Sequence, residues 1–211
     1  LRDVSTVTDE NGREFQAVNT ADGGQIKMRV ENDVPENERP TGEETQQALS
    51  TLADLHERNP LPDGSVPSMR VISESNAEDI TGTKGVAAFV SSQNPSQVTL
   101  VGHGPFEVTG PATQPEWSMP SAANVTPVQY NVAHEYGHVT ALSGGELEPA
   151  TRNATQIAAT SVDRAAGGLS KYGAMNSNEG YAEAHAEYSL TRGTTTNAAA
   201  QTYAKVAGWK A

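Results

Sequence analysis

The sequence predicts an α+β fold with a small mixed sheet and a scaffold helix in the N-terminal half and a mainly helical C-terminal half. Three observations carry the prediction. Short runs rich in β-branched residues, bounded by turn signals, are confined to the chain before residue 102. A capped run with a leucine stripe stands between them at Thr41 to Asn59. From Thr126 onward the apolar residues recur at helical spacing, interrupted by Gly and Asn.

The first forty residues are polar. Asp9-Glu10-Asn11-Gly12 and Ala21-Asp22-Gly23-Gly24 are turn signals around the alternating runs Phe15 to Val18 and Ile26 to Val30. These runs can pair as a hairpin, but they carry too little apolar surface for a core of their own. Residues 1–40 are therefore expected as an N-terminal arm or hairpin at the edge of a domain spanning 41–211. Val34 to Pro40 reads as a linker. Thr41-Gly42-Glu43-Glu44 opens a helix with a capping box, Leu49, Leu52 and Leu55 give it a buried stripe, and Asn59-Pro60 ends it. His56, near that end, is expected to be exposed.

After the turn at Leu61 to Pro67 come three strand candidates, Met69 to Ser73, Gly85 to Ser91 and Gln97 to Val101, the last two joined by Gln93-Asn94-Pro95-Ser96. Either of the last two can offer an edge to an extended peptide. Gly102 to Val125, rich in Pro and Gly, is a loop long enough to form a wall or lid, with His103 as an ordinary loop side chain. Trp117 and Met119 within it, and Tyr181 further on, suit either a substrate subsite or the interior.

Thr126-Pro127-Val128-Gln129 is a second helix start, with Thr126 as N-cap, Pro127 at the first helical position and Gln129 completing a capping box. Val128, Val132, Tyr136, Val139 and Leu142 follow at helical spacing until Gly144-Gly145. Further helices are expected over Pro149 to Ala166, from Asn176 or Ser177 to Thr191, and over Asn197 to Val206.

The helix that starts at Thr126 carries His134-Glu135-Tyr136-Gly137-His138. Two imidazoles four residues apart project from one helix face and can reach a single Zn²⁺, while Glu135 between them can face water bound to the ion. A carboxylate there can take a proton as that water attacks a polarised carbonyl, which is metallopeptidase chemistry. Gly137 is costly inside a helix, by up to about 1 kcal/mol against alanine. It marks a close approach, expected from the segment that brings a third ligand.

The chain has no cysteine, so His and carboxylate are the only zinc ligands open to it. A catalytic zinc takes three protein ligands. The metzincin spacing fails, because Ala141 and Gly144 stand where it needs glycine and a further ligand. Candidates for the third ligand are Glu146 and Glu148, close behind the histidines, and the row Glu179, Glu183 and Glu187. The later row fits better, since Glu146 and Glu148 are too near in sequence to swing back. Glu179 and Glu183 share one helix face, and Gly180, Ala182, Ala184 and Ala186 permit close packing of that helix. His185 points away from it.

The segment Tyr172-Gly173-Ala174-Met175-Asn176-Ser177-Asn178-Glu179-Gly180-Tyr181-Ala182-Glu183-Ala184 resembles the second motif of the gluzincin metallopeptidases. A Tyr seven residues before E-x-x-A-E, with H-E-Y-G-H upstream, is similar to the protease domain of anthrax lethal factor, bacterial Pro-Pro endopeptidases and peptidase-like modules of phage proteins. Gly180-Tyr181 departs from the pair of bulky apolar residues often found there. The resemblance implies a zincin-like fold, Zn²⁺ on His134, His138 and Glu179, and Glu135 as general base. It further implies Tyr172 as the phenol that steadies the oxyanion and Glu183 as the carboxylate orienting a ligand imidazole.

The formal net charge of −12 argues against non-specific nucleic-acid binding. No stretch has the apolar length of a membrane span, and no leader resembles a signal peptide, so a soluble protein with a peptide or protein substrate is expected. Leu1 fits a processed product or a piece of a longer polypeptide, and release from a longer chain suits a secreted effector. The Ala- and Thr-rich composition also suits a rival reading, a catalytically idle zincin-fold module in a phage virion.

Overall fold

The structure is a computed structural model that describes residues 1–112, 118–119, 121, 124–145, 151, 153–155 and 168–211. Trp117, Glu146, Glu148 and most of the helix expected over Pro149 to Ala166 lie outside the described residues. The fold is α+β, built on a six-stranded mixed sheet.

Strands β1 (Ser5–Thr8), β2 (Glu14–Asn19) and β3 (Gln25–Val30) form an antiparallel meander. β3 then pairs in parallel with β4 (Ser68–Ile72), and β4 in parallel with β6 (Asn94–Val101). β5 (Ala88–Ser91) closes the far edge antiparallel to β6. The order β1-β2-β3-β4-β6-β5 puts β6 between two neighbours and leaves β5 with a side that no strand among the described residues pairs. Of the two strands expected to offer an edge, β6 is thus interior and only β5 has one.

Alternation along the strands sorts the faces. Val18, Ile26, Met28, Met69, Val71, Val98 and Leu100 point to one side and are buried. They pack against Leu49, Leu52 and Leu55 of α1 (Gly42–Arg58) and Val128, Val132, Tyr136 and Val139 of α3 (Pro127–Thr140). On the opposite face Ile72 and Val101 meet Ala77 of α2 (Glu74–Thr81). That helix was not expected, because Ala77 is its one buried residue and it has no apolar stripe to read.

Both long helix starts form as their sequences direct. The side chains of Thr41 and Thr126 cap backbone N–H groups of Glu44 and Gln129, which cap back in return. The helical geometry of α3 widens into a π turn over 141–145. α4 (Ser177–Leu190), capped by Asn176, lies against α3, and α5 (Ala198–Ala207), capped by Asn197, lies against α4. Tyr181, Tyr203, Leu169 and Trp209 fill the space between the last two. Among the described residues no helix is long and apolar enough to cross a membrane.

Candidate metal centre

Packing of α4 on α3 begins at Gly137. A Cβ there would stand 2.8 Å from the Cα of Ala182 and 3.1 Å from the Cβ of His185. Only glycine opposite alanine allows this approach, and the element that makes it is the one carrying Glu179.

The approach brings three ligand atoms together. Glu179 Oε2 lies 3.0 Å from His134 Nε2 and 3.4 Å from His138 Nε2. Four-coordinate zinc with ligand bonds of about 2.0–2.1 Å holds its donors about 3.3 Å apart. Two of the donor separations therefore match those around a small divalent ion, and the third lies within 4.8 Å. His134, His138 and Glu179 form the one such group among the described residues, all ligand atoms lying within 4.8 Å of one another. Two imidazoles and a carboxylate leave a fourth position open.

Glu135 is buried, and its Oε2 has no hydrogen-bond partner among the described residues. Burial pushes its carboxyl pKa up against the pull of His134 and His138, with Glu179 adding to the rise. Such a carboxylate takes up a proton more readily than an exposed one. Glu179 behaves oppositely: burial opposes its charge, but hydrogen bonds from His134 and His138 hold its carboxyl well below the usual range.

Tyr172 stands beside these groups, its ring centroid 5.4 Å from that of His134. Burial, then the charges of Glu179 and Glu135, hold its phenol protonated far above neutral pH. A cavity of about 420 Å³ is lined by Tyr172, Glu135, His138 and Glu179 together with Ala88, Phe89 and Val90 of β5. The β5 edge of the sheet and the candidate ligands His138 and Glu179 line one groove.

Glu183 is fully buried behind the ligands, with Oε1 2.9 Å from His134 Nδ1. Tyr130 donates to the same oxygen at 2.5 Å, and Ser170 donates to Oε2 at 2.7 Å. His134 thus has a carboxylate on each ring nitrogen. Burial alone would lower its pKa, but the hydrogen bonds to Glu179 and Glu183 prevail and raise it to about 10.

The structure therefore brings His134, Glu135, His138, Tyr172, Glu179 and Glu183 to one centre. It also adds two residues that sequence reading missed. Tyr130 precedes His134 by four positions, so its spacing placed it on the ligand face. Ser170 carried no sequence signal.

One other expectation is corrected, and the remaining residues singled out in the sequence find their places. His56 is buried rather than exposed, because α3 covers the end of α1: its Nδ1 lies 3.2 Å from the Tyr136 hydroxyl. Tyr181 and Met119 are fully buried in the interior and shape no subsite. His103 pairs with Glu44 at 2.9 Å. His185 stays clear of the ligands, with Nδ1 2.9 Å from the Ala133 carbonyl oxygen, and burial lowers its pKa to about 4.

Comparison of the chain with protein-family models, with curated proteins and with solved structures finds no match in any of the three.

Proposed function

We propose that the chain is a zinc-dependent endopeptidase of gluzincin type on a zincin-like fold. The observation that carries this reading is the meeting, beside one cavity along the β5 edge of the sheet, of a His-His-Glu ligand group with a buried glutamate oxygen that has no hydrogen-bond partner among the described residues. An ion bound only to hold the fold together has no use for Glu135, whose burial without a partner costs stability.

His134, His138 and Glu179 would hold the ion. When bound there, zinc supplies Lewis acidity to a peptide carbonyl and lowers the pKa of water toward neutrality. β5 offers backbone hydrogen bonds to an extended peptide and so lays the scissile bond over the ligand group. Glu135, with its raised pKa, takes the proton of the attacking water at a carboxylate oxygen and returns it to the leaving amine. Tyr172 keeps its phenolic proton and donates a hydrogen bond to the oxyanion. Glu183 accepts from His134 Nδ1 and fixes the ring with Nε2 toward the ion.

Elemental analysis of the purified protein beside Glu179→Ala tests the ligand set, and a peptide-library digest beside Glu135→Gln tests the chemistry. One zinc per chain, lost in Glu179→Ala, with cleavage lost in Glu135→Gln, is expected. Cleavage that survives Glu135→Gln at the wild-type rate, or a wild-type protein that takes up no zinc, would overturn the reading.

A further inference from the structure

Glu183 does more than face His134. Its Oε2 accepts the Ser170 hydroxyl at 2.7 Å, and the same Ser170 oxygen accepts the backbone N–H of Gly173 at 2.9 Å. The Ser170 carbonyl accepts the N–H of Ala174 at 3.1 Å, and the Tyr172 carbonyl accepts that of Met175 at 3.0 Å. Residues 170–175 thus form a tight double turn with Tyr172 at its centre, hung from Ser170.

The turn also rests on Glu183 by contact. A Cβ on Gly173 would stand 3.2 Å from Glu183 Cβ, 3.3 Å from its Cγ and 3.2 Å from Ser170 Oγ. No side chain fits between them without displacement. One carboxylate therefore holds the back of a ligand imidazole through Oε1 and the turn that carries the phenol through Ser170 and Oε2.

We propose that Ser170 is a positioning residue for Tyr172: its hydroxyl ties the phenol-bearing turn to the Glu183 carboxylate that also orients His134. The distance between phenol and metal ligand is then set by one shared group rather than by two independent elements. A serine serving only to close its turn would be replaceable without effect on Tyr172, because the Ser170 and Tyr172 carbonyl bonds persist in Ser170→Ala. The consequence for catalysis rests on the peptidase reading, whereas the consequence for the phenol does not.

The test uses zinc-loaded protein with tyrosines carbon-13 labelled at Cζ, as wild type, Ser170→Ala, Ser170→Thr, Tyr172→Phe and Ser170→Ala/Tyr172→Phe. The Tyr172 resonance is assigned by its loss in Tyr172→Phe. It is expected to shift and broaden in Ser170→Ala and to return in Ser170→Thr, while the remote Tyr203 and Tyr188 signals stay in place as evidence of folding. On any peptide the wild type cleaves, Ser170→Ala should lower kcat about tenfold or more with KM within about twofold. In the Tyr172→Phe background Ser170→Ala should cost nothing further, since the residue it positions is gone. An unmoved Tyr172 resonance in Ser170→Ala, or losses that multiply in the double variant, would overturn the proposal. Failure of the wild type to cleave any peptide would sink the peptidase reading and leave the resonance to decide the role of Ser170.

Discussion

Glu135 is held where an acidic side chain is least comfortable. Its burial and the orphaned Oε2 make ionisation costlier in the folded chain than in the unfolded one, which is the meaning of its raised pKa. A carboxyl whose folded pKa lies above its unfolded value subtracts stability once the pH exceeds the unfolded value, so at neutral pH this charge works against the fold. Glu135→Gln keeps the shape and removes the charge. Zinc-free Glu135→Gln is accordingly expected to melt above the wild type at pH 7, while peptide cleavage falls by about 10²- to 10⁴-fold, the usual contribution of a general base. Thermal unfolding of the two metal-free proteins checks the first half, and a variant that melts below wild type would contradict it. Tyr172→Phe removes a donor without removing a charge, and a loss of about 10²- to 10³-fold in kcat with zinc content unchanged is expected. Zinc loss in that variant would instead place the phenol among the groups that hold the ion.

Helix α4 works as a rail of carboxylates at every fourth residue, each with its own task. Glu179 meets the two histidines, and Glu183 meets His134, Tyr130 and Ser170. Glu187 accepts from the backbone and hydroxyl of Ser121 and from the hydroxyl of Thr195, pinning the loop ahead of α3 and the turn behind α4. The rail reaches its partners only because Gly137 lets it close on α3. Gly137→Ala inserts a Cβ 2.8 Å from Ala182 Cα, which the backbone of α4 cannot yield cheaply. The variant is expected to lose about 1–3 kcal/mol of stability and to bind zinc more weakly, because Glu179 rides on the displaced helix. Denaturant unfolding and zinc titration of Gly137→Ala check both, and unchanged zinc affinity would show that Glu179 follows the ion on its own. This element also marks how far the sequence can be read. The caps at Thr41 and Thr126, the helix starts near Asn176 and Asn197 and the helical spacing of the histidines are local and were legible. The glycine in mid-helix announced a close neighbour, and the row of glutamates offered candidates for it. Which strand lies at the edge, which loop serine meets Glu183 and why His56 is covered all depend on pairings between distant segments, which no local pattern encodes. Even α2 escaped, since a short helix with one buried alanine has no periodicity to detect.

The two parts of the molecule, sheet with α1 on one side and α4 with α5 on the other, meet through α3, and an ion held by His134, His138 and Glu179 would tie α3 to α4. Proton and ion compete for this tie. In the metal-free chain His134 carries a proton between Glu179 and Glu183, with a pKa of about 10 where an unfolded imidazole has 6.5. That contribution to stability is complete below about pH 6.5, fades as the pH rises and is gone above about 10. Glu179 acts in the other direction: its folded pKa is depressed, so its contribution is present above the unfolded value of 4.5 and is lost as the pH falls. The metal-free protein is thus favoured in weakly acidic solution and weakened on the alkaline side, where a net charge of −12 adds self-repulsion. Zinc requires the His134 nitrogen that the proton occupies, so uptake at pH 7 should release about one proton, and zinc affinity should rise with pH. Calorimetric titration in buffers of different ionisation enthalpy measures the proton count. Denaturation midpoints at pH 6, 7.5 and 9, with and without zinc, measure the consequence for the fold. The gap between loaded and free protein is expected to widen steadily across that range, because the free fold keeps the His134 proton throughout and the ion that must displace it binds more tightly as the pH rises. A gap independent of pH, with no proton released, would mean that the ion does not take the place of that proton and that His134 is not a ligand.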